Sequence, residues 1–346
     1  MSFSERYHNL NARQKKAVDT IEGPVMVIAG PGTGKTELLS MRAANILQKT
    51  DTLPENILCL TFTESGANAM RQRLSQVIGA AAYKVAIHTF HSFGTEVINH
   101  NSEFFYGGAN FKPADDLSCY EILRTIFDGL DYDNPLAGKT NGEYTHLGDT
   151  LTVISELKKS GLTSDELLLV LDANDKVIEA AEPLLAEIFA PRLSKATVGQ
   201  LAGLPLHILK TEAPIPLPGI SSLARVLADS LEQAIEAATD SNSTKPITAW
   251  RNAWLKKNDA GVFVLKARDR QAKLRAVSYI YYQYLARMQE AQLFDFDDMI
   301  MQVVHAMEVT PELRFNLQER YLYIMVDEFQ DTNLAQMRIL HNLTDS

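Results

Sequence analysis

Residues 25–42 read VMVIAGPGTGKTELLSMR: a short apolar run breaks into glycines, then a lysine and a threonine, then a helical pattern. No other stretch restricts the fold as strongly. An apolar run of this length reads as a strand covered on both faces, and a strand passing through a glycine-rich turn into a helix belongs to layered α/β architectures. The pattern Ala29-x-x-x-x-Gly34-Lys35-Thr36 is that of a phosphate-binding loop, with Ala29 where the pattern usually begins with Gly. Its residues are Ala29, Gly30, Pro31, Gly32, Thr33, Gly34, Lys35 and Thr36. Glycines let the backbone curl until successive N–H groups face an anion, and the following helix adds its positive end. Lys35 supplies a full charge for the β- and γ-phosphates, and Thr36 a hydroxyl ligand for Mg²⁺, a cation that prefers oxygen.

The strand–helix alternation continues along the N-terminal third. The pattern predicts a helix over 9–22 with Asn11 as a candidate N-cap, strands at 24–29, 56–63 and 84–90, and helices at 34–48 and 65–78. This is the rhythm of a parallel sheet with covered faces. It stops near residue 104, after which residues 115–290 are mostly helical in pattern. The proline-rich stretch 202–222 reads as a loop and 238–246 as a break. YLYIMV at 321–326 then restores a buried strand. The simplest account is an α/β domain interrupted by a mostly helical insertion.

A phosphate loop alone defines no reaction. Its expected partner is YLYIMVDEFQDTN, 321–333, because ligands of parallel sheets sit at the carboxyl ends of the strands. Asp327 is then the second Mg²⁺ holder, Glu328 the group that orients and deprotonates an attacking water, and Gln330 a sensor of the γ-phosphate.

Composition limits the alternatives. The chain has 346 residues, 46% hydrophobic and 22% charged, as in ordinary globular proteins, and is long enough for more than one domain. No apolar run suffices for a membrane span, and the polar N-terminus lacks a signal core, so a cytoplasmic location is expected. Cys59 and Cys119 set no disulfide framework and fit a reducing compartment. The net charge of −10 argues against a nucleic-acid binder taken globally, but residues 251–275 carry eight Lys or Arg against two Asp. That stretch, with Trp250 and Trp254 beside it, is either a phosphate-contacting track or a solvated helix face.

Four further segments carry a family resemblance: LNARQ at 10–14, LTFTESGANAMRQRL at 60–74, TFHSFG at 89–94 and DEFQDTN at 327–333. Together with the loop they resemble motifs Q, I, Ia, Ib and II of the UvrD/Rep-like superfamily 1 DNA helicases. The resemblance covers roughly residues 5–100 and 290–345. It implies a RecA-like P-loop NTPase sheet covered by helices, split into 1–103 and 291–346 (domain 1A), around a helical domain 1B at 104–290. Gln14 would hydrogen-bond the adenine of ATP. Thr61, Phe62, Thr63, Thr89 and His91 would line a single-stranded DNA track, although Phe62 also reads as strand core and His91 as a structural histidine. Two positions depart from the family wording: Glu37 stands where an adenine-stacking Arg is usual, and the TESGA of 63–67 replaces an Asn-Lys-Ala-Ala wording. LFDFDDMI at 293–300 resembles the acidic segment preceding motif II, with Asp295 or Asp297 a candidate helix cap.

Nothing in the sequence resembles motifs III to VI or a second RecA-like domain. The resemblance therefore implies the ATP-binding N-terminal part of an ATP-dependent helicase acting on single-stranded and forked DNA, 3′ to 5′. Its partner would be a C-terminal RecA-like domain of the same protein, and little unwinding is expected from this portion alone. The alternative is a P-loop-derived DNA-repair interaction module without motor activity. An ABC- or SMC-type ATPase would need an LSGGQ-like signature, which is absent.

Overall fold

The computed structural model describes residues 3–30, 32–105, 111–212, 217 and 220–345, with the backbone alone at 195–197. It divides into two compact units: Met1–Asp115 with Lys158–Gly161 and Ala291–Ser346, and Asp116–Leu157 with Leu162–Glu290.

The first unit is built on a parallel sheet in the order Ala86–Thr89, Ile57–Thr61, Tyr323–Val326. Cys59 is in register with Ile87 on one side and Met325 on the other. Every residue of the central strand is buried, and its side chains alternate between two cores, as strand geometry requires. Leu58 and Leu60 pack with Phe90, Phe93, Val303 and Ile339. Ile57 and Cys59 pack with Ala44, Ile46, Met70 and Leu74. Burial on both faces explains the unbroken apolar run, and just before the strand Asn56 Nδ2 donates to the Arg320 carbonyl at 2.8 Å.

Three predicted elements need correction. The run 24–29 is not a strand: none of the sheet's strands pairs with it, and Met26 and Ile28 are 77% and 91% exposed. Apolar content marks a segment as burial-prone, but a strand also needs a ladder partner, which periodicity cannot supply. The first predicted helix is shorter, Ala12–Asp19, and begins at Asn11 in a reciprocal capping box with Gln14. Within the predicted loop 202–222, Leu204–Leu209 is helical, with Pro205 in its first turn and Leu204 and Ile208 buried one turn apart. The proline-rich tract beyond it falls largely outside the described residues.

The second unit is helical. Its main elements are Asp116–Asp128, Ser164–Phe189, Leu223–Asp240, Lys245–Trp254 and Ala267–Glu290. Two small antiparallel pairs interrupt them, Lys139–Thr140 with Glu143–Tyr144 and Leu255–Lys257 with Phe263–Leu265. Leu185, Phe189, Leu227, Leu231 and Trp250 form its core, where the Phe189 and Trp250 rings stack at 6.0 Å. The basic stretch is largely consumed inside this unit. Arg268 pairs with Glu182 at 2.6 Å, and Arg275 pairs with Asp172 and Asp175 at 2.6 Å each. Lys256 pairs with Asp269, and Lys266 donates to the Asn252 carbonyl at 2.6 Å. Trp250, Tyr281 and Tyr284 are buried. No helix among the described residues is long and apolar enough to cross a membrane.

Candidate nucleotide and nucleic-acid site

The loop's conformation follows from its glycines. Gly32 and Gly34 have φ of 75° and 82°, the left-handed region that side chains other than glycine's resist. Gly34 is the N-cap of the Lys35–Lys49 helix and offers no side-chain cap, so the first N–H groups of a four-turn helix stay open to an anion. Inside the turn, the Thr33 hydroxyl donates to the Gly30 carbonyl at 2.7 Å. Pro31 lies outside the described residues. The helix is anchored beneath the loop by Asn45 Nδ2 donating to the Val18 carbonyl at 2.8 Å and by Arg42 donating to the Ala17 carbonyl at 2.7 Å. Val18, Leu38 and Met41 form the small core between the two helices.

The two halves of the site, almost three hundred residues apart in sequence, meet at the end of the Tyr323–Val326 strand. Asp327 N–H donates to the Leu60 carbonyl at 2.8 Å, which extends the strand ladder by one residue. Lys35 Nζ lies 2.9 Å from Glu328 Oε2, and the Thr36 hydroxyl donates to Asp327 Oδ2 at 3.3 Å. Glu328 has φ 51° and ψ 44°, a left-handed backbone uncommon for a glutamate and typical of functional turns. Its carboxylate also accepts from Gln330 Nε2 at 2.6 Å. These bonds, from Gln330 first and then Lys35, hold the Glu328 carboxyl below its usual range, and the bond to Glu328 raises Lys35. Gln14, Ala29, Thr33, Gly34 and Lys35 line one cavity of about 280 Å³. The Gln14 amide donates to the Thr33 carbonyl at 3.4 Å and accepts from the Asn11 N–H at 3.0 Å.

No cluster of three or more His, Cys, Asp or Glu suited to a metal occurs among the described residues. The Thr36 hydroxyl and the Asp327 carboxylate are nevertheless two hard oxygen donors side by side. That is the sparse protein ligand set Mg²⁺ takes when substrate phosphates and water complete its shell.

The candidate nucleic-acid residues gather at the carboxyl ends of the other two strands, where Thr61 and Thr89 are register partners. The threonine hydroxyls are committed locally. Thr61 donates to the Thr63 carbonyl at 2.9 Å, and Thr63 caps the Glu64–Ile78 helix. Thr89 caps the Phe90–His100 helix and donates to Glu64 at 3.0 Å. Phe62 is 51% exposed, so its reading as strand core does not hold. The His91 ring meets Phe296 edge-on at 5.7 Å, and burial pushes this histidine below its usual range, with Asp297 opposing.

Sequence reasoning missed three features. Phe296 is 66% exposed beside His91; its place between Asp295 and Asp297 in LFDFDDMI was its only signal. Glu37 is held by Arg6 at 2.7 Å, a contact between helices that local spacing does not encode. Lys158 is fully buried between Asp295 and Asp298, 2.6 Å from each, whereas a Lys-Lys pair in a helix reads as solvated surface. Burial pushes the Asp298 carboxyl above its usual range, with the Lys158 ammonium opposing. Asp295 is the N-cap of Phe296–Val309.

Comparison with known proteins fits this arrangement. The chain is 26% identical over 330 residues to DNA helicase II of Rickettsia typhi, an alignment covering 95% of this chain and 34% of that protein. It is 25% identical over 337 residues to the ATP-dependent DNA helicase PcrA of Staphylococcus epidermidis, covering 97% and 32%. Against PcrA of Staphylococcus aureus it is 25% identical over 333 residues, covering 96% and 31%. The chain thus spans about a third of the length of the curated relatives it matches. The profile of the UvrD/REP helicase N-terminal domain matches residues 10–346. With the phosphate loop and the Asp-Glu strand end joined at one place and that profile running through both, the chain belongs to the UvrD/REP helicase N-terminal domain family.

Proposed function

We propose that the chain is the ATP-binding, DNA-tracking part of an ATP-dependent DNA helicase. Its first unit would be a RecA-like domain 1A and its second a helical domain 1B. The observation that carries this reading is the meeting of Lys35 and Thr36 with Glu328 and Asp327 at the end of one sheet. In this reading the open N–H groups of the loop and Lys35 bind the β- and γ-phosphates of ATP. Thr36 and Asp327 hold Mg²⁺, which, when bound, neutralises phosphate charge. Glu328, kept ionised by its partners, accepts the proton of the attacking water. Lys35 and Gln330 both hold that carboxylate here, so phosphate arriving on Lys35 leaves Glu328 a freer and stronger base. Gln330 links this event to the rest of the domain. Gln14 reads the adenine by exchanging its contacts to Asn11 and Thr33.

Phe62 and Phe296 offer exposed faces for stacking bases of a single strand without sequence preference. The capping threonines fix the strand ends that present Phe62 and His91. The resemblance implies 3′ to 5′ movement, a cytoplasmic setting, and a second RecA-like domain that completes the nucleotide site, since a motor needs two lobes that open and close. A non-motor interaction module fits less well, because it has no use for a glutamate held in a left-handed turn against the loop lysine.

The test is ATP turnover by the protein carrying this chain, with and without single-stranded DNA. Stimulation by DNA, abolished in Lys35→Ala and in Glu328→Gln, is expected. A rate indifferent to DNA defeats the translocase reading.

A further inference from the structure

The lining of the cavity beside the loop contains two cations and no carboxylate. Lys35 is already bound to Glu328 at 2.9 Å. The other cation is Arg13, exposed in the first turn of the Ala12–Asp19 helix next to Gln14. It makes no ion pair or hydrogen bond among the described residues. Two other cations of the N-terminal segment are committed: Arg6 holds Glu37 at 2.7 Å and Gln76 at 2.6 Å, and Lys15 donates to the His8 carbonyl at 3.1 Å. A cationic cavity with one uncommitted guanidinium and no acid in its wall suits an anionic ligand with a flat apolar part. The two ends of the cavity differ. Gly34 and Lys35 stand at the Asp327–Glu328 end, where phosphates belong. Arg13 stands at the Asn11–Gln14 end, and Val27, Ile28 and Leu38 give the wall its apolar surface.

We infer that Arg13 is a nucleotide-contacting residue whose guanidinium lies against the face of the bound base. This rests on the nucleotide-site reading above and adds a residue to it. A guanidinium is planar, permanently charged and weakly hydrated, so it stacks on aromatic faces where an ammonium does not.

The experiment is calorimetric titration of the 346-residue chain with ATP and with ADP in Mg²⁺, comparing wild type with Arg13→Ala, Arg13→Lys and Lys35→Ala. A cation–aromatic contact of ordinary strength predicts that Arg13→Ala weakens both nucleotides about five- to tenfold and by the same factor. Arg13→Lys should not restore binding, and the loss should persist at higher salt. An Arg13→Ala affinity within twofold of wild type overturns the inference. So does a loss that is larger for ATP than for ADP and repaired by lysine, which would put Arg13 on the phosphates. A wild-type chain that binds ATP no better than Lys35→Ala would instead overturn the nucleotide-site reading itself, and this inference with it.

Discussion

Glu96 offers the sharpest stability test of the sheet unit. Its carboxylate receives His88 Nε2 at 2.8 Å, Arg320 Nη2 at 2.8 Å and the Tyr321 hydroxyl at 3.4 Å, joining the Ala86–Thr89 strand, the Phe90–His100 helix and the approach to Tyr323–Val326. These partners, the His88 bond foremost, bring its pKa from 4.5 down to about 2. A lowering of that size corresponds to at most about 3 kcal/mol of stability. With the side chain 18% exposed, solvent screening reduces this to about 2 kcal/mol. Because the folded pKa is depressed, the contribution is complete above the unfolded pKa of 4.5 and is lost as pH falls through that value toward 2. Glu96→Gln removes it. Both tryptophans lie in the other unit, so hydrogen exchange over residues 86–89 is the suitable probe rather than fluorescence. At pH 7 the variant should open about 30-fold more readily than wild type, from about 2 kcal/mol at 1.4 kcal/mol per tenfold. The ratio should shrink to a few-fold at pH 3. A ratio unchanged between the two pH values, or near one at pH 7, refutes the reasoning.

Other outcomes follow from the same structure. Lys158→Met leaves Asp295 and Asp298 facing each other without their cation, and should cost about 3 to 5 kcal/mol, read as loss of exchange protection in the Phe296–Val309 helix. Cys59, buried and with its thiol pushed up to about 12, should resist a thiol reagent at pH 8 in the native protein and react fully in denaturant. Phe296→Ala should weaken single-stranded DNA binding about fivefold or more, the worth of one stacked base, with ATP binding unchanged; equal DNA affinity would remove Phe296 from the track.

The parts of the molecule legible in the sequence were those written locally. The phosphate loop announces itself because Gly32 and Gly34 must adopt positive φ, and the Ile57–Thr61 strand because both its faces are covered. The meeting of Lys35 with Glu328 was expected from the rule that ligands sit at the carboxyl ends of parallel strands; of the two segments, only the one carrying Glu328 follows a strand of the sheet. The failures have a common cause. Apolar residues 25–28 resemble a strand, yet pairing depends on a partner edge that the run itself does not contain. For the cations of 251–275, which the sequence left open between a nucleic-acid track and a solvated helix face, Glu182, Asp172 and Asp175, distant in sequence, pair with two of the eight. Lys158 carried no reading at all, because the two carboxylates that enclose it, Asp295 and Asp298, lie far from it in sequence. Charges are readily seen in a sequence, but their partners are set by tertiary packing.

The central claim is that residues near 35 and near 327 form a single magnesium–triphosphate site. A double-mutant cycle on the Mg²⁺-dependent part of ATP affinity, using Thr36→Val, Asp327→Asn and the pair, tests it directly. If both side chains serve one ion, either substitution alone should remove most of the Mg²⁺ effect and the double variant should lose little more. Losses that simply add would mean that the two side chains act at separate places, and would contradict the account.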